Sequence, residues 1–236
     1  MSSKRSDLAR AAVVCTLGAW SPWDAGADPA SGFYVGGGLG QAYYDIDYGQ
    51  QVNAAYSASP FTVVYANMTR SQDLAGKAYV GYQFANPFAI ELSYVDLGQP
   101  RAQFAVSSTS AGTTNPFTRN ATYRIQGLNL AAVGRLRLDD QWSVHGSVGA
   151  FYSQYKYSES GNQSTGDPYS FTAPNLWQTN LSYGLGVSAQ LSGDWAARVD
   201  WDRYTHLGNT FDFSTTGNGR FGNIDLFSFN VEYRFR

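Results

Sequence analysis

The chain has 236 residues and a formal net charge of −2, with 16 lysines and arginines against 18 aspartates and glutamates. Because the basic residues form no cluster along the sequence, composition excludes a nucleic-acid footprint and indicates no polyanion-binding role. Although 16% of the residues are aromatic, no run reaches the roughly 18 apolar residues of a transmembrane helix, so the sequence predicts none.

The first thirty residues are typical of an export signal that is removed from the mature protein. Basic residues open the segment, a short apolar stretch follows, and Ala25-Gly26-Ala27 supplies the small residues of a cleavage site. We expect cleavage after Ala27, with Ala30 as the alternative, so that a signal peptide of residues 1–27 precedes a mature domain of residues 28–236. The only cysteine, Cys15, lies in the signal, and we therefore expect no disulfide.

Eight segments of alternating apolar and polar residues follow the signal. They cover about residues 33–44, 74–84, 88–95, 123–138, 142–152, 181–191, 195–202 and 227–235. A period of two is typical of a strand with two different faces.

The connections between these segments alternate in length. The long ones cover about residues 45–72, 97–122, 156–178 and 205–223, are polar and lack sustained apolar periodicity; the short ones are Asn86-Pro87, Asp139-Asp140 and Ser192-Gly193-Asp194. This rhythm is typical of small outer-membrane barrels. The sequence therefore predicts an all-β protein, an eight-stranded antiparallel up-and-down transmembrane β-barrel with four long extracellular loops and three short periplasmic turns.

The composition of the second strand face decides which face points inward. A soluble eight-stranded barrel fills its interior with apolar side chains, whereas the second face here consists of Gly, Ser, Gln and Asn with a few opposite charges. Eight strands leave an interior just wide enough for side chains. We therefore expect the polar face to fill the lumen, where glycines make room for long charged neighbours, and the apolar face to contact lipid.

Aromatic residues favour the same orientation because they lie at the strand ends. We predict one belt near the short turns and termini, formed by Phe33, Phe84, Phe88, Trp142, Trp195 and Phe235. We predict a second belt near the long loops, formed by Tyr43, Tyr94, Tyr152, Tyr183 and Trp201. Two belts at the two water interfaces are typical of membrane barrels.

Seven charged residues share the inward parity and form a predicted structural ion-pair network in the lumen. They are Lys77, Glu91, Arg135, Arg198, Asp200, Glu232 and Arg234. An unpaired charge in a narrow barrel costs several kcal/mol, so we expect these residues to pair across the lumen and close it. The alternative is that they form a gate or line a narrow path for water or ions.

Two histidines are candidates for chemistry. His145-Gly146-Ser147 resembles the His-x-Ser arrangement of outer-membrane lipid A deacylases, in which the histidine acts as base for the serine. Both residues have inward parity and lie near a short turn, whereas the substrate is in the outer leaflet, so we expect no catalytic residues. His206 continues the column of Arg198 toward the outer mouth. A metal or proton site is the alternative there, but one strand cannot assemble it, and we expect no metal or cofactor.

Several short motifs resemble those of the OmpA/OmpX-type family of small outer-membrane barrels. They are Gly32-Phe33-Tyr34-Val35-Gly36-Gly37, Gly81-Tyr82-Gln83-Phe84, Ala89-Ile90-Glu91-Leu92-Ser93-Tyr94, Arg198-Val199-Asp200-Trp201 and Val231-Glu232-Tyr233-Arg234-Phe235. The resemblance implies an eight-stranded barrel in the outer membrane of a Gram-negative bacterium. It also implies lumen salt bridges and variable outer loops used for adhesion, surface recognition or immune exposure.

The chain departs from the family pattern at its end. It stops after the last strand, so we expect no peptidoglycan-binding domain, and its last residue is Arg236, which leaves Phe235 one position before the terminal Phe that the assembly machinery reads. We expect a non-catalytic, monomeric surface protein; the alternatives are a lipid A-modifying enzyme and a narrow ion or water channel. Its expected partners are outer-membrane lipid and lipopolysaccharide, the barrel-assembly machinery and an extracellular or host ligand, but no nucleic acid.

Overall fold

The computed structural model describes residues 31–45, 48–56, 61–85, 87–110, 113–163, 165–207 and 222–235. In chain order the elements are β1 (Gly32–Asp45), α1 (Tyr48–Ala55), β2 (Phe61–Arg70), β3 (Gln72–Gln83), β4 (Phe88–Asp96), β5 (Arg101–Ser110), β6 (Thr113–Arg137), β7 (Trp142–Asn162), β8 (Pro168–Thr172), β9 (Leu176–Ser192), β10 (Trp195–Leu207) and β11 (Gly222–Arg234). The predicted signal peptide, Cys15 and Arg236 lie outside the described residues. None of the helices in the described part is long and apolar enough to cross a membrane.

Eight of the strands close into an antiparallel ring. The order is β1-β3-β4-β6-β7-β9-β10-β11, and β11 returns to β1 with Tyr34 opposite Arg234 and Asp45 opposite Asn223. The three predicted tight junctions join β3 to β4, β6 to β7 and β9 to β10, although Asn86 lies outside the described residues. The ring confirms the predicted eight-stranded up-and-down barrel.

The strand faces also follow the predicted alternation. Large apolar side chains point away from the lumen along every ring strand; Leu74 and Leu185 are 69% and 62% exposed. Their sequence neighbours Ala75 and Gly184 are buried inside. An apolar outer wall of this kind is stable only against lipid.

The predicted loops contain more regular structure than the sequence indicated. β6 and β7 run for 25 and 21 residues and stay paired as far as Arg119 opposite Gly161, well beyond the ring. β5 pairs with the outer part of β6, β2 pairs with β5, and β8 pairs with the outer part of β7. The sequence indicated polar loops over residues 45–72, 97–122 and 156–178, but much of each is regular structure, because β5 and β8 add to the free edges of the long β6 and β7, and β2 adds to β5. We call α1, β2, β5, β8 and the outer parts of β6 and β7 the platform.

The lumen has two layers of different character. Polar and charged side chains fill the half near the short turns, as predicted. In the half near the long loops, most inward residues are apolar or aromatic, and Ala42, Val95, Phe151, Tyr204 and Leu226 are fully buried. The prediction of a polar interior is therefore correct for one half only. The rings of Phe151 and Tyr204 lie 4.5 Å apart and close the centre of the second layer.

Helix α1 continues this apolar layer into the platform. Tyr48 and Val52, one helical turn apart, are both buried, which places them on one face. The ring of Tyr48 lies 6.2 Å from Phe104 of β5, and Tyr56 lies 5.8 Å from the same ring. Burial raises the pKa of the Tyr48 hydroxyl well above its ordinary value, so that it stays neutral inside the platform.

Candidate functional site

Arg198 is the centre of the charged side chains in the lumen. Its Nη1 donates to Glu91 Oε2 and to Glu232 Oε2, each at 3.0 Å, and its Nη2 lies 3.2 Å from Asp200 Oδ2. The arginine side chain is 3% exposed. The arginine belongs to β10 and the glutamates to β4 and β11, so the ring closure itself brings these charges together.

The other predicted residues extend the same network. Arg135 binds Glu232 through two hydrogen bonds of 3.0 Å, and Arg234 Nε donates to Glu232 Oε1 at 2.9 Å. Lys77 donates to Asp200 at 3.1 Å and to Asp202 at 2.7 Å. All seven residues proposed from the sequence thus belong to one connected set.

Several residues bonded to the network were not in the predicted set. Asp202 accepts from Lys77, Asn230 donates to Asp200 at 3.0 Å, and Tyr34 donates to Glu91 at 3.2 Å. Asp202 and Asn230 lie two positions from Asp200 and Glu232 on their strands, so their parity was a usable signal. The contacts across the lumen depend on ring curvature and have no signal in the sequence.

Tyrosine rings support the two central arginines. The guanidinium of Arg135 lies 4.5 Å from the centre of the Tyr34 ring, and that of Arg198 lies 4.7 Å from the Tyr79 ring. A Cβ at Gly36 would overlap the Tyr79 ring. Inward glycines were expected to make room for charged side chains, and this one makes room for the ring beneath a charge.

His145 lies in the lumen beside the network. Its Nε2 is 2.8 Å from Asp200 Oδ1 and 3.2 Å from Arg198 Nη2. A small cavity is lined by His145, Ser147, Lys77, Asp200 and other inward residues. An imidazole beside a carboxylate is chemically suited to general-base work, but the barrel wall separates it from the outer leaflet.

His206 does not continue the inward column. The register between β10 and β11 shifts between Tyr204 and Leu207, and His206 has a positive φ of 54° and an exposed side chain. Tyr204 and Leu207 are fully buried instead. The prediction for His206 is wrong because a bulge resets the parity. Within the described residues, no group of three or more His, Cys, Asp or Glu side chains is arranged to hold a metal ion.

The predicted aromatic belts lie on the outer wall. Ten of the residues have exposed side chains and Trp201 is half-buried. Trp201 Nε1 donates to Asp225 at 3.0 Å. Tyr152 stacks on Trp177 with ring centres 5.0 Å apart.

The platform combines a buried aromatic interior with exposed apolar side chains. Arg119 lies 3.2 Å from the centre of the Tyr169 ring and 3.7 Å from Glu159. On its outside, Phe61, Val64, Tyr65 and Phe171 are exposed. Neither the strands nor these exposed residues were predicted from the sequence.

The sequence matches the family model of the OmpA-like transmembrane domain over residues 28–236. No match to a curated protein sequence is found. Among solved structures, this chain is similar to Ail, the attachment invasion locus protein of Yersinia pestis, in complex with the heparin analogue sucrose octasulfate, with 14% identity, a TM-score of 0.45, and coverage of 87% of this chain and 99% of that chain. Neisserial surface protein A has 11% identity and a TM-score of 0.48, with 87% and 98% covered. The outer membrane protein OprG from Pseudomonas aeruginosa has 14% identity and a TM-score of 0.47, with 89% and 98% covered.

Proposed function

Since this chain belongs to the family of OmpA-like transmembrane domains, and its barrel lies in the bacterial outer membrane, we propose that its extracellular side is a non-catalytic recognition surface. The platform and its loops would contact a ligand or another cell surface. The barrel would hold them at a fixed height above the membrane.

Exposed apolar side chains on β2 and β8, the two edge strands of the platform, carry this proposal. Val64 and Tyr65 of β2 and Phe171 of β8 are 59%, 37% and 42% exposed, although they lie beyond the wall that contacts lipid. Exposed apolar groups on a hydrogen-bonded sheet are typical of interaction sites. Since the sheet is ordered before contact, binding costs less conformational entropy than it would on a flexible loop.

The filled lumen also supports a role outside the barrel. Arg198 and its carboxylate partners fill one half, and Phe151 and Tyr204 close the other. A conducting path would have to open both layers at once. The predicted role of the ion-pair network, to close and stabilise the barrel, is therefore part of this proposal.

The proposal can be tested by cell adhesion. Bacteria displaying the wild-type chain should adhere to cultured epithelial cells or to collagen-coated surfaces. We expect the double variant Val64→Ser/Tyr65→Ser to lose most of this adhesion at equal surface level. The control is Asn67→Ser, because Asn67 is an exposed polar residue of the same strand. Adhesion that is absent in wild type or unchanged in the double variant would contradict the proposal.

The rival functions are measured in parallel. Mass spectrometry of lipid A compares cells with the wild-type chain and with His145→Ala, and planar bilayers measure conductance. A lipid A profile that depends on His145 would replace the proposed function by an enzymatic one. Steady conductance by the wild-type protein would replace it by a channel.

A further inference from the structure

A row of cations crosses three adjacent strands at the base of the platform, on its outward face, just above the barrel wall. Arg101 of β5 pairs with Thr122 of β6, and two residues further along β6, Arg124 pairs with Lys156 of β7. All three basic side chains are exposed. Strands lie about 5 Å apart, so the row is about 10 Å wide. It is invisible as a cluster in the sequence, because its members are more than twenty positions apart.

Carboxylates neutralise only part of this row. Arg124 Nη2 lies 3.2 Å from Asp96 Oδ2. In the part of the chain that the structure describes, neither Arg101 nor Lys156 has an ion-pair partner. The next cation along the row, Arg70 of β2, pairs with Arg101 in register and is bound to Asp73 at 3.1 Å. The row therefore has an excess positive charge.

The row lies immediately above the apolar wall. Lys156 is four residues beyond the belt residue Tyr152 on β7, about 13 Å along an extended strand. Between them Gln126 donates to Gln154 at 3.1 Å, on the outward faces of β6 and β7. Belt aromatics lie at the level of the lipid headgroups, so the cations are at or just above the headgroups of the outer leaflet.

We propose that Arg101, Arg124 and Lys156 form a binding site for the phosphate groups of lipopolysaccharide in the outer leaflet. Charge complementarity supports this partner, since a phosphate binds several cations and accepts paired hydrogen bonds from arginine. The position supports it as well. The row lies at the base of the platform, directly above the lipid-facing wall, and its width suits a headgroup with more than one phosphate. At the short-turn end, by contrast, exposed Asp139 and Asp140 follow β6.

This inference does not rest on the proposed recognition function, because it concerns the base of the platform next to lipid rather than the exposed apolar side chains of β2 and β8. The test uses the purified full chain in phosphatidylcholine nanodiscs. Binding of bisphosphorylated lipid A, of the same lipid A without phosphates, and of phosphatidylglycerol is measured by native mass spectrometry. We expect wild type to bind the bisphosphorylated form at least about tenfold more tightly than either of the others.

The variant Arg101→Gln/Lys156→Gln keeps the side-chain stems and removes the two cations that lack partners. We expect about 30-fold weaker binding of bisphosphorylated lipid A, equivalent to about 2 kcal/mol. Arg101→Lys/Lys156→Arg should stay within about threefold of wild type, because long-range attraction depends on charge. Arg137→Gln, which removes an exposed cation from the short-turn end of β6, should leave the affinity for bisphosphorylated lipid A unchanged.

Two results would overturn the site. One is that the double glutamine variant binds bisphosphorylated lipid A as tightly as wild type does. The other is that wild type itself binds lipid A equally well with and without phosphates. Equal affinity for phosphatidylglycerol would overturn the assignment to lipopolysaccharide.

Discussion

Replacing Arg198 by methionine tests whether the lumen charges hold the barrel together. The side chain is 3% exposed and touches Glu91, Asp200 and Glu232. Methionine has a similar length and leaves three carboxylates without that cation. Removing one partner of a buried ion pair costs about 3–5 kcal/mol, and we expect a loss of that size in the free energy of unfolding.

The contacts identify the carboxylate that loses most of its stabilisation when Arg198 is replaced. Asp200 keeps Lys77 and Glu232 keeps Arg135, whereas Glu91 keeps only the Tyr34 hydroxyl among the residues that the structure describes. Glu91→Gln should therefore lower the free energy of unfolding of the wild-type protein by about 2 kcal/mol. In the Arg198→Met background the same change should leave that free energy unchanged or raise it. A coupling of about 2–3 kcal/mol is at the upper end for residues in direct contact.

Urea unfolding in phospholipid vesicles, followed by tryptophan fluorescence and heat-modified gel mobility, measures all four members of this cycle. Arg137→Met, at the exposed short-turn end of β6, is the control and should change stability by less than about 0.5 kcal/mol. Additive effects of Arg198→Met and Glu91→Gln would refute the reasoning, because they would mean that the two charges do not stabilise each other.

Three further changes test other parts of the barrel. Gly36→Ala should lower the free energy of unfolding by about 1–3 kcal/mol, because the added Cβ would overlap a tyrosine ring. Gly76→Ala on the lipid-facing side should leave that free energy unchanged, and urea unfolding measures both variants. Val52→Asp should undock α1, seen as faster hydrogen exchange in the helix, yet bilayer conductance should stay at baseline because the ion-pair network below remains. His145→Ala should leave the lipid A profile unchanged and lower stability by about 1–2 kcal/mol through its lost contact with Asp200.

The ring could be predicted because lipid and lumen impose a strict period of two. Leu92, Leu185 and Val199 point outward because the hydrocarbon requires it, and each sits between small or polar inward residues. The charged residues of the lumen could be found by parity alone. Their partners could not, since Lys77 on β3 reaches Asp202 on β10 across the lumen, between strands that are not neighbours.

The platform was missed for a definite reason: the apolar face changes sides where the strands leave the membrane. On β7, Val148 and Tyr152 point outward to lipid, whereas Tyr155 and Tyr157 are buried and Lys156 is exposed. The alternation itself continues across this change. A sequence search for apolar residues at outward positions therefore finds no periodicity beyond the membrane. There the outward residues face water instead of lipid, and the inward residues form an apolar core instead of a polar lumen.

This change of face also joins the barrel and the platform into one unit. The apolar cluster runs without interruption from Ala42 and Leu226 in the ring to Tyr48 of α1 and Phe104 of β5. Unfolding the platform would therefore expose the top of the lumen, and the stability of the ring supports the order of the platform. A recognition surface on such a base is preorganised, which a set of independent flexible loops would not be. Val64 and Tyr65 are thus presented to the outside by the same core that closes the barrel.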